Sequence, residues 1–291
     1  MNKLLPGIAC LLLLSCSPSM AARIVSCEPD WEYLSQEISG YKVDVSSLVA
    51  EGQDPHHMRL TPHSVALLQQ ADLLVCNDIE HQRRLKVLIR KSGNWALQPG
   101  QVGYLDVRRY MEAQSPQGQS RLMGWQHIQR DPRNVLLVAE ALTERLTKID
   151  PSNSRYYRER HENFSTEWKA AMRAWERRAA PLNGIAVVVQ RNSCEYLCRW
   201  LGIREVATVE PTQGGSVNLR QMRTVMAALD THPARMIIAG PYHSSSAISW
   251  LAEKTKLPVV TLPSTHGDMP GAKGLYAVFD ESIDRMLAAT P

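Results

Sequence analysis

The sequence predicts an α/β protein of two Rossmann-like lobes with parallel sheets, joined by one long rigid helix. Short apolar runs alternate with helical patterns through both halves of the chain, as in parallel sheets covered by helices. Between the halves, residues 152–180 are rich in Arg, Glu, Ala and Trp and contain neither Gly nor Pro. As one helix this segment would span ~40 Å, long enough to connect two lobes.

The N-terminal segment, residues 1–22, predicts a signal peptide. Lys3 supplies the positive charge, residues 8–14 form a short apolar core, and small residues at 19–22 suit a cleavage site. The apolar run is shorter than the ~20 residues that a membrane-spanning helix needs. We therefore expect an exported, periplasmic protein. The Leu-Leu-Ser-Cys sequence ending at Cys16 resembles a lipobox, so lipid attachment at Cys16 stays open.

The remaining chain divides into an N-terminal lobe at 23–150, a linking helix at 151–180 and a C-terminal lobe at 181–291. Strands are predicted at 23–27, 42–48, 73–76, 185–189, 205–209, 235–239 and 258–262. Helix starts are predicted at three Thr-Pro or Asp-Pro pairs, where a capping side chain precedes a proline whose missing N–H costs nothing. These pairs are Thr61-Pro62, Asp131-Pro132 and Asp150-Pro151.

Charge excludes one class of function. The 291 residues carry a formal net charge of only +4, and no basic stripe is interleaved with aromatic residues. We therefore expect no nucleic-acid partner.

Four cysteines follow the signal segment, in a compartment that permits disulfides. Cys27 and Cys76 each close a strand-like run, and parallel neighbours would bring them together. Cys194 and Cys198 lie four residues apart on a predicted helix, where the geometry for a bridge is poor. Both pairings are open at this stage.

Two histidine positions are candidates for metal binding. His56 and His57 stand in Gln-Asp-Pro-His-His, between a strand and a capped helix, and His127 precedes another capped helix. Ligands of parallel α/β folds bind at such loops. Neutral imidazole suits zinc, whereas nearby carboxylates would serve manganese. Taken singly, these histidines are more typical of surface turns and structural positions than of metal ligands.

A longer pattern changes their interpretation. The string at 53–57, then Pro62, then Ala-Asp-Leu-Leu-Val at 71–75 resembles the zinc/manganese ABC-transporter solute-binding proteins, the ZnuA/TroA-like family (cluster A-I). The resemblance continues at 28–31, 127–134, 196–202, 210–211 and 262–271. It implies a monomeric periplasmic protein that holds Zn²⁺, with Mn²⁺ as the alternative, between its lobes. It also implies a membrane permease as partner and no catalytic activity.

Carried over onto this sequence, the family's first two metal histidines fall on His56 and His127. The third falls five residues before Tyr196, where this chain has Arg191. A guanidinium is permanently charged and offers no lone pair to a cation. The family's acidic ligand after the last strand is also replaced, by Pro-Ser-Thr at 263–265.

Three explanations of these departures are compatible with the sequence. In the first, His266 and Asp268 rebuild the C-terminal half of the site and complete a tetrahedral zinc set with the two N-terminal histidines. His243 and Cys194 are further candidates there. In the second, the two histidines and water bind metal weakly. In the third, the metal site has decayed, and Arg191 meets an anionic ligand or a metal chelate, or the chain is an accessory periplasmic module.

An enzyme is the rival class of function, because zinc with an open position can activate water. The chain contains no His-Glu-x-x-His, no Gly-x-Ser-x-Gly and no P-loop. We therefore predict a binding protein.

Overall fold

The computed structural model describes residues 21–49, 61–79, 82–114, 125–210, 217–240, 246–263 and 273–290. Within these ranges the chain forms two four-stranded parallel sheets flanked by helices, with one 25-residue helix between them. The predicted α/β architecture of two lobes joined by a long helix is confirmed. The lobe limits at residues 150 and 181 stay predictions.

The strands and helices alternate along the chain. The strands are β1 (Ala22–Ser26), β2 (Val43–Ser47), β3 (Leu73–Cys76), β4 (Tyr104–Asp106), β5 (Ala186–Val189), β6 (Arg204–Thr208), β7 (Met236–Ala239) and β8 (Val259–Thr261). The helices are α1 (Pro29–Ser39), α2 (Pro62–Gln70), α3 (Arg83–Ser92), α4 (Val107–Gln114), α5 (Pro132–Ile149), α6 (Ser154–Arg178), α7 (Glu195–Leu201), α8 (Leu219–Thr231), α9 (Ser246–Thr255) and α10 (Leu275–Ala288).

Both sheets have the same topology. The first has the strand order β2-β1-β3-β4 and the second has the order β6-β5-β7-β8, with every neighbouring pair parallel. The chain direction across the sheet reverses between β1 and β3, and again between β5 and β7. In open parallel sheets, ligands bind outside the carboxyl ends of the strands at such a switch point. The fold therefore provides one crevice in each lobe.

Alternating residues of the central strands face two different cores. Ile24 of β1 and Val187 of β5 lie in one large core that continues through both lobes, whereas Val25 and Val188 face separate cores on the other side of each sheet. All four side chains are at most 2% exposed. Because both faces of each strand are buried, these strands are continuously apolar, as expected of parallel sheets.

Helix α6 carries the aromatic part of the large core. Trp168 is fully buried, and its ring contacts those of Phe164, Trp175, Tyr276 and Phe279 at centroid distances of 4.8–5.7 Å. Its indole N–H donates to the carbonyl oxygen of Pro132 at 2.8 Å. One side chain therefore connects the start of α5, in the first half of the chain, with α10 in the second.

Two of the three predicted proline helix starts are confirmed. The hydroxyl of Thr61 accepts from the amide of Ser64 at 3.1 Å, and the carboxylate of Asp131 accepts from the amide of Arg133 at 3.0 Å. The third prediction is wrong in detail. Asp150 is followed by a 3-10 turn, and its carboxylate accepts from the Asn153 side chain and the Tyr157 hydroxyl instead, so α6 begins at Ser154.

No helix among the described ranges combines the length and apolarity needed to cross a membrane.

A disulfide joins Cys27 and Cys76, which follow β1 and end β3. The two strands are neighbours in the sheet, and this adjacency places the two Cα atoms 4.9 Å apart. Of the two pairings that the sequence left open, the structure thus contains the first. Cys194 and Cys198 are both buried and are not linked to each other.

Removing the disulfide tests its contribution to stability. Cys27→Ala with Cys76→Ala is expected to lower the free energy of unfolding by about 4 kcal/mol, because a cross-link between residues 49 apart restricts the unfolded chain. Chemical denaturation monitored by circular dichroism measures the loss. With a metal chelator present, Cys194→Ala with Cys198→Ala is the control, since it removes two buried thiols without removing a cross-link. Equal losses in the two variants would show that packing, not the cross-link, is responsible.

Candidate metal centre between the lobes

The predicted ligands are divided between described and undescribed parts of the chain. His127 and Arg191 are described. His56, with His57, lies outside the described residues, in the connection from β2 to α2, and so do His243, His266 and Asp268. The structure therefore gives the local geometry of one predicted ligand in the first half of the chain and of the predicted cleft residue in the second.

A polar network fills the switch point of the first sheet. Glu28 follows β1 and Asn77 follows β3, so both stand at the carboxyl edge of the sheet. The Glu28 carboxylate accepts from the backbone amide of Asn77 at 3.2 Å, and the Asn77 side-chain oxygen accepts from the Trp31 indole at 2.7 Å. All three residues are buried, so the network fixes the shape of this crevice.

The segment that carries His127 is attached to this network. Trp125–Arg130 is a 3-10 segment with a kink at His127, where φ is −123° and ψ is 24°. The neighbouring Gln129 accepts from the Asn77 side chain at 2.9 Å and donates to Asp30 at 3.4 Å. Ile128 is fully buried, and its carbonyl accepts from the Asn134 side chain. The contacts of Ile128 and Gln129, the two residues that follow it, thus fix the backbone position of half-buried His127.

Burial and the nearby carboxylate of Asp30 raise the pKa of Glu28 well above its ordinary value, 4.5, although the hydrogen bond from the Asn77 amide opposes the shift. Asp106, at the end of β4, adds to the same effect. Glu28 therefore holds a proton more tightly in the folded chain than in the unfolded chain.

Arg191 occupies the corresponding position in the second sheet, just beyond β5. Its Nε donates to a carboxylate oxygen of Glu210 at 2.7 Å, and Gln190 donates to the other oxygen at 3.1 Å. The Gln190 side-chain oxygen in turn accepts from the backbone amide of Gly240, beyond β7, at 3.4 Å. Glu210 has a side chain only 8% exposed, against 28% for Arg191, so the guanidinium compensates a buried charge.

The two switch points meet through the His127 segment. Trp125–Arg130 packs against the 3-10 turn Asn192–Cys194 and against α7, both of which follow Arg191 directly. Buried Tyr196 of α7 is close enough to Asp131 for that carboxylate to contribute to the raised pKa of its phenol, whose main cause is burial. A ligand held by His127 would therefore lie at the boundary between the two lobes.

His127 and Arg191 differ in their ability to bind a cation. The imidazole of His127 can bind a soft or borderline divalent ion, whereas Arg191 cannot bind a cation. The sequence indicated both residues as site candidates but assigned no role to Asn77, Gln129 or Glu210, which hold their segments in place. The available signals were the positions of Asn77 and Glu210 directly after strand-like runs, and the presence of Gln129 and Glu210 in stretches that resemble the family.

Sequence comparison finds curated proteins that are similar to part of this chain. Over 137 residues the chain is 26% identical to the manganese ABC transporter substrate-binding lipoprotein PsaA of Streptococcus anginosus, covering 45% of this chain and 43% of that protein. It is 28% identical over 129 residues to the metal ABC transporter substrate-binding lipoprotein ScbA of Streptococcus cristatus, covering 43% and 40%. The chain thus spans less than half the length of these curated relatives.

Solved structures share the fold over almost the whole chain. The Mn-bound periplasmic metal binding protein from Candidatus Liberibacter asiaticus superposes with a TM-score of 0.74 at 19% identity, covering 92% of this chain and 98% of that one. A crystal structure of ZnuA gives a TM-score of 0.72 at 18% identity, covering 91% and 98%.

Two parallel sheets of equal topology, with switch points that meet at their boundary, define a two-lobed α/β binding-protein fold. The model of one family of such proteins, described as zinc-uptake complex component A periplasmic, matches residues 24–289. This chain belongs to that family, and the predicted resemblance is confirmed.

Glu28→Gln tests the electrostatics of the first switch point. Because folding raises the pKa of Glu28, the folded state binds more protons than the unfolded state above pH 4.5, and stability is lost as pH rises through that range. Glutamine imitates the protonated form, so the variant is expected to unfold at a higher temperature than the parent at pH 8. The gain should shrink towards pH 4. Thermal unfolding at both values measures it.

Exposed Glu253 on α9 provides the matched control. Glu253→Gln should leave the difference between the two pH values unchanged. A Glu28→Gln variant that is less stable than the parent at pH 8 would contradict the assignment of a costly buried charge.

Proposed function

We propose that this chain is the periplasmic solute-binding component of an ABC importer, and that it captures a divalent metal ion between its lobes. Zinc is the first candidate and manganese the second. Membership of a family of substrate-binding transport components, not of enzymes, supports a role in capture and delivery. The partner is then a membrane permease, and the protein acts as an exported monomer, with lipid attachment at Cys16 as one means of retention.

One structural observation carries the proposal. The segment of His127 is anchored to the switch point of the first sheet and packs against the residues that follow the switch point of the second. Binding proteins need a ligand site that both lobes can reach, and this segment provides one. The large core that extends through both lobes keeps the two crevices in a fixed relation.

The proposed ligand set is His56 and His127 from the first lobe with His266 and Asp268 from the second. Three imidazoles and one carboxylate form a closed tetrahedral set that suits zinc. A site richer in carboxylates and water would suit manganese better. The curated relatives include proteins named for manganese and the solved neighbours include ZnuA, so family membership supports both ions.

A metal titration tests the function. Protein freed of metal with a chelator is expected to take up one tightly bound zinc ion per chain that depends on His56 and His127, measured by calorimetry and elemental analysis, with weaker uptake of manganese. His56→Ala and His127→Ala should each weaken zinc binding by about tenfold or more, since even a residue that only supports a ligand contributes 10–100-fold. Binding should also weaken as pH falls through ~6.5, where free imidazole gains a proton.

The control is His232→Ala, which removes an exposed histidine at the end of α8. This variant should bind zinc like the parent. If no ion binds to the parent, or if His127→Ala and His232→Ala behave alike, the proposed site is wrong.

Arg191 supports a second candidate function, the binding of an anionic ligand or a metal chelate at a decayed metal site. Its side chain is 28% exposed, and arginine suits carboxylate and phosphate recognition. The carboxylate of Glu210 already accepts a hydrogen bond from Nε of Arg191, however. An anionic ligand would therefore have to compete with a buried carboxylate for this guanidinium. We therefore favour metal capture.

Arg191→His distinguishes the two functions. In the absence of metal, the free energy of unfolding of the variant is expected to be about 1–3 kcal/mol lower than that of the parent, because buried Glu210 loses a charged partner. Zinc binding should become tighter than in the parent, because a fixed positive charge is replaced by a ligand. Calorimetry on both proteins measures this, with Arg223→His at an exposed position of α8 as the control. A parent that binds no ion, beside a variant that does, would support the decayed-site alternative.

A further inference from the structure

Two buried cysteines and a glutamate form a second group of metal-ligand side chains, in the second half of the chain. Cys194 ends the 3-10 turn after Arg191, Cys198 lies one helical turn later in α7, and Glu205 lies in β6. The two sulfur atoms and a carboxylate oxygen of Glu205 all lie within 4.8 Å of one another. Cys194 donates to Glu205 at a sulfur-to-oxygen distance of 3.7 Å.

The local fold explains this convergence. Residues four apart on a helix lie on the same face, so both thiols project from one side of α7. Helix α7 packs against β6, the strand that follows it, and Glu205 projects from that strand into the contact. The cysteines are 4% and 1% exposed, and neither is in a disulfide.

Both cysteines of this group are buried and Glu205 is partly buried. The hydrogen bond with Cys194 and burial raise the pKa of Cys198 well above its ordinary value, and burial raises the pKa of Glu205. Among neighbouring charges, Glu195 adds to the repulsion around Glu205, whereas Arg199 opposes it. Two sulfur atoms and a carboxylate oxygen that converge in this way are ligand types that zinc binds.

We propose that Cys194, Cys198 and Glu205 bind a thiophilic divalent ion such as Zn²⁺ or Cd²⁺, at a site separate from the one proposed for His56 and His127. Zinc bonds of about 2.3 Å to sulfur and 2.0–2.2 Å to oxygen place tetrahedral ligands a little under 4 Å apart, so the group needs only a small contraction. Three protein ligands leave a fourth position for water. Manganese prefers oxygen ligands and is excluded by the two thiolates.

Cadmium is the probe, because thiolate-to-cadmium charge transfer absorbs in the ultraviolet and histidine-only sites lack this band. The full chain, purified in the presence of a reductant that does not bind metal, is titrated with Cd²⁺ and separately with Mn²⁺. We expect the band with cadmium and none with manganese. Cys194→Ala with Cys198→Ala should abolish it, and Glu205→Gln should keep the band while weakening cadmium binding about tenfold or more.

His127→Ala separates this proposal from the proposed function. The variant should keep the cadmium band at full intensity, whereas it should lose zinc binding at the cleft. If the parent shows no band, or the band survives removal of both cysteines, the thiol site does not exist. If His127→Ala also removes the band, the thiols belong to the cleft site and the claim of a separate site is overturned.

Folding of the variants is checked by circular dichroism. Cys198→Ser, which changes one atom, replaces the double variant if the latter is unfolded. Mass spectrometry of the chain without added reductant measures whether Cys194 and Cys198 are linked to each other. A Cys194–Cys198 disulfide in protein taken directly from the periplasm would overturn the proposal, since oxidised sulfurs are not thiolate ligands.

Discussion

The contact of Trp168 with both halves of the chain is the interaction on which the rest of the structure depends. Its indole N–H bonds to the backbone at the start of α5, while its ring packs against Tyr276 and Phe279 of α10. Aromatic side chains bury large apolar areas with defined ring geometry, so this cluster fixes orientation as well as adding stability. The neighbouring contacts of α6 with α10, and of the His127 segment with α7, add to the same alignment.

The cluster also explains why α6 is mostly polar yet well anchored. Four of its side chains are buried, namely Tyr157, Phe164, Trp168 and Trp175, and all four are aromatic. Trp175 continues the contact by donating to Asp280 at 2.9 Å, and Arg178 forms an ion pair with the same carboxylate. The ion pair is partly exposed and contributes little by itself. Packing of the aromatic rings provides most of the contact between α6 and α10, and the polar contacts orient α6.

Sequence reasoning identified most of the fold because the relevant signals are local. Buried strands such as β3 are continuous apolar runs, and Thr61 and Asp131 are capping residues before prolines. It failed at Asp150, where the same Asp-Pro signal gives a 3-10 turn because Tyr157 and Asn153 compete for the carboxylate. It also missed three-residue β4, which is too short to show periodicity.

The candidate site was less accessible to such reasoning, because its geometry depends on long-range pairs. Asn77 and Gln129 are 52 residues apart, and no local pattern indicates that one orients the segment of the other. Arg191 was recognised as a departure from the family pattern, but its partner Glu210 follows a neighbouring strand. The association of Glu205 with two cysteines likewise requires the packing of α7 on β6.

The disulfide between Cys27 and Cys76 turns the first part of the chain into a covalent ring. The connection from β2 to α2, which contains His56, is a part of that ring. A single cut by a protease anywhere between the two cysteines therefore releases no fragment: both pieces stay attached through sulfur until a reductant is added. In an environment rich in proteases, a nicked molecule would keep its histidine-bearing connection beside the sheet to which it belongs.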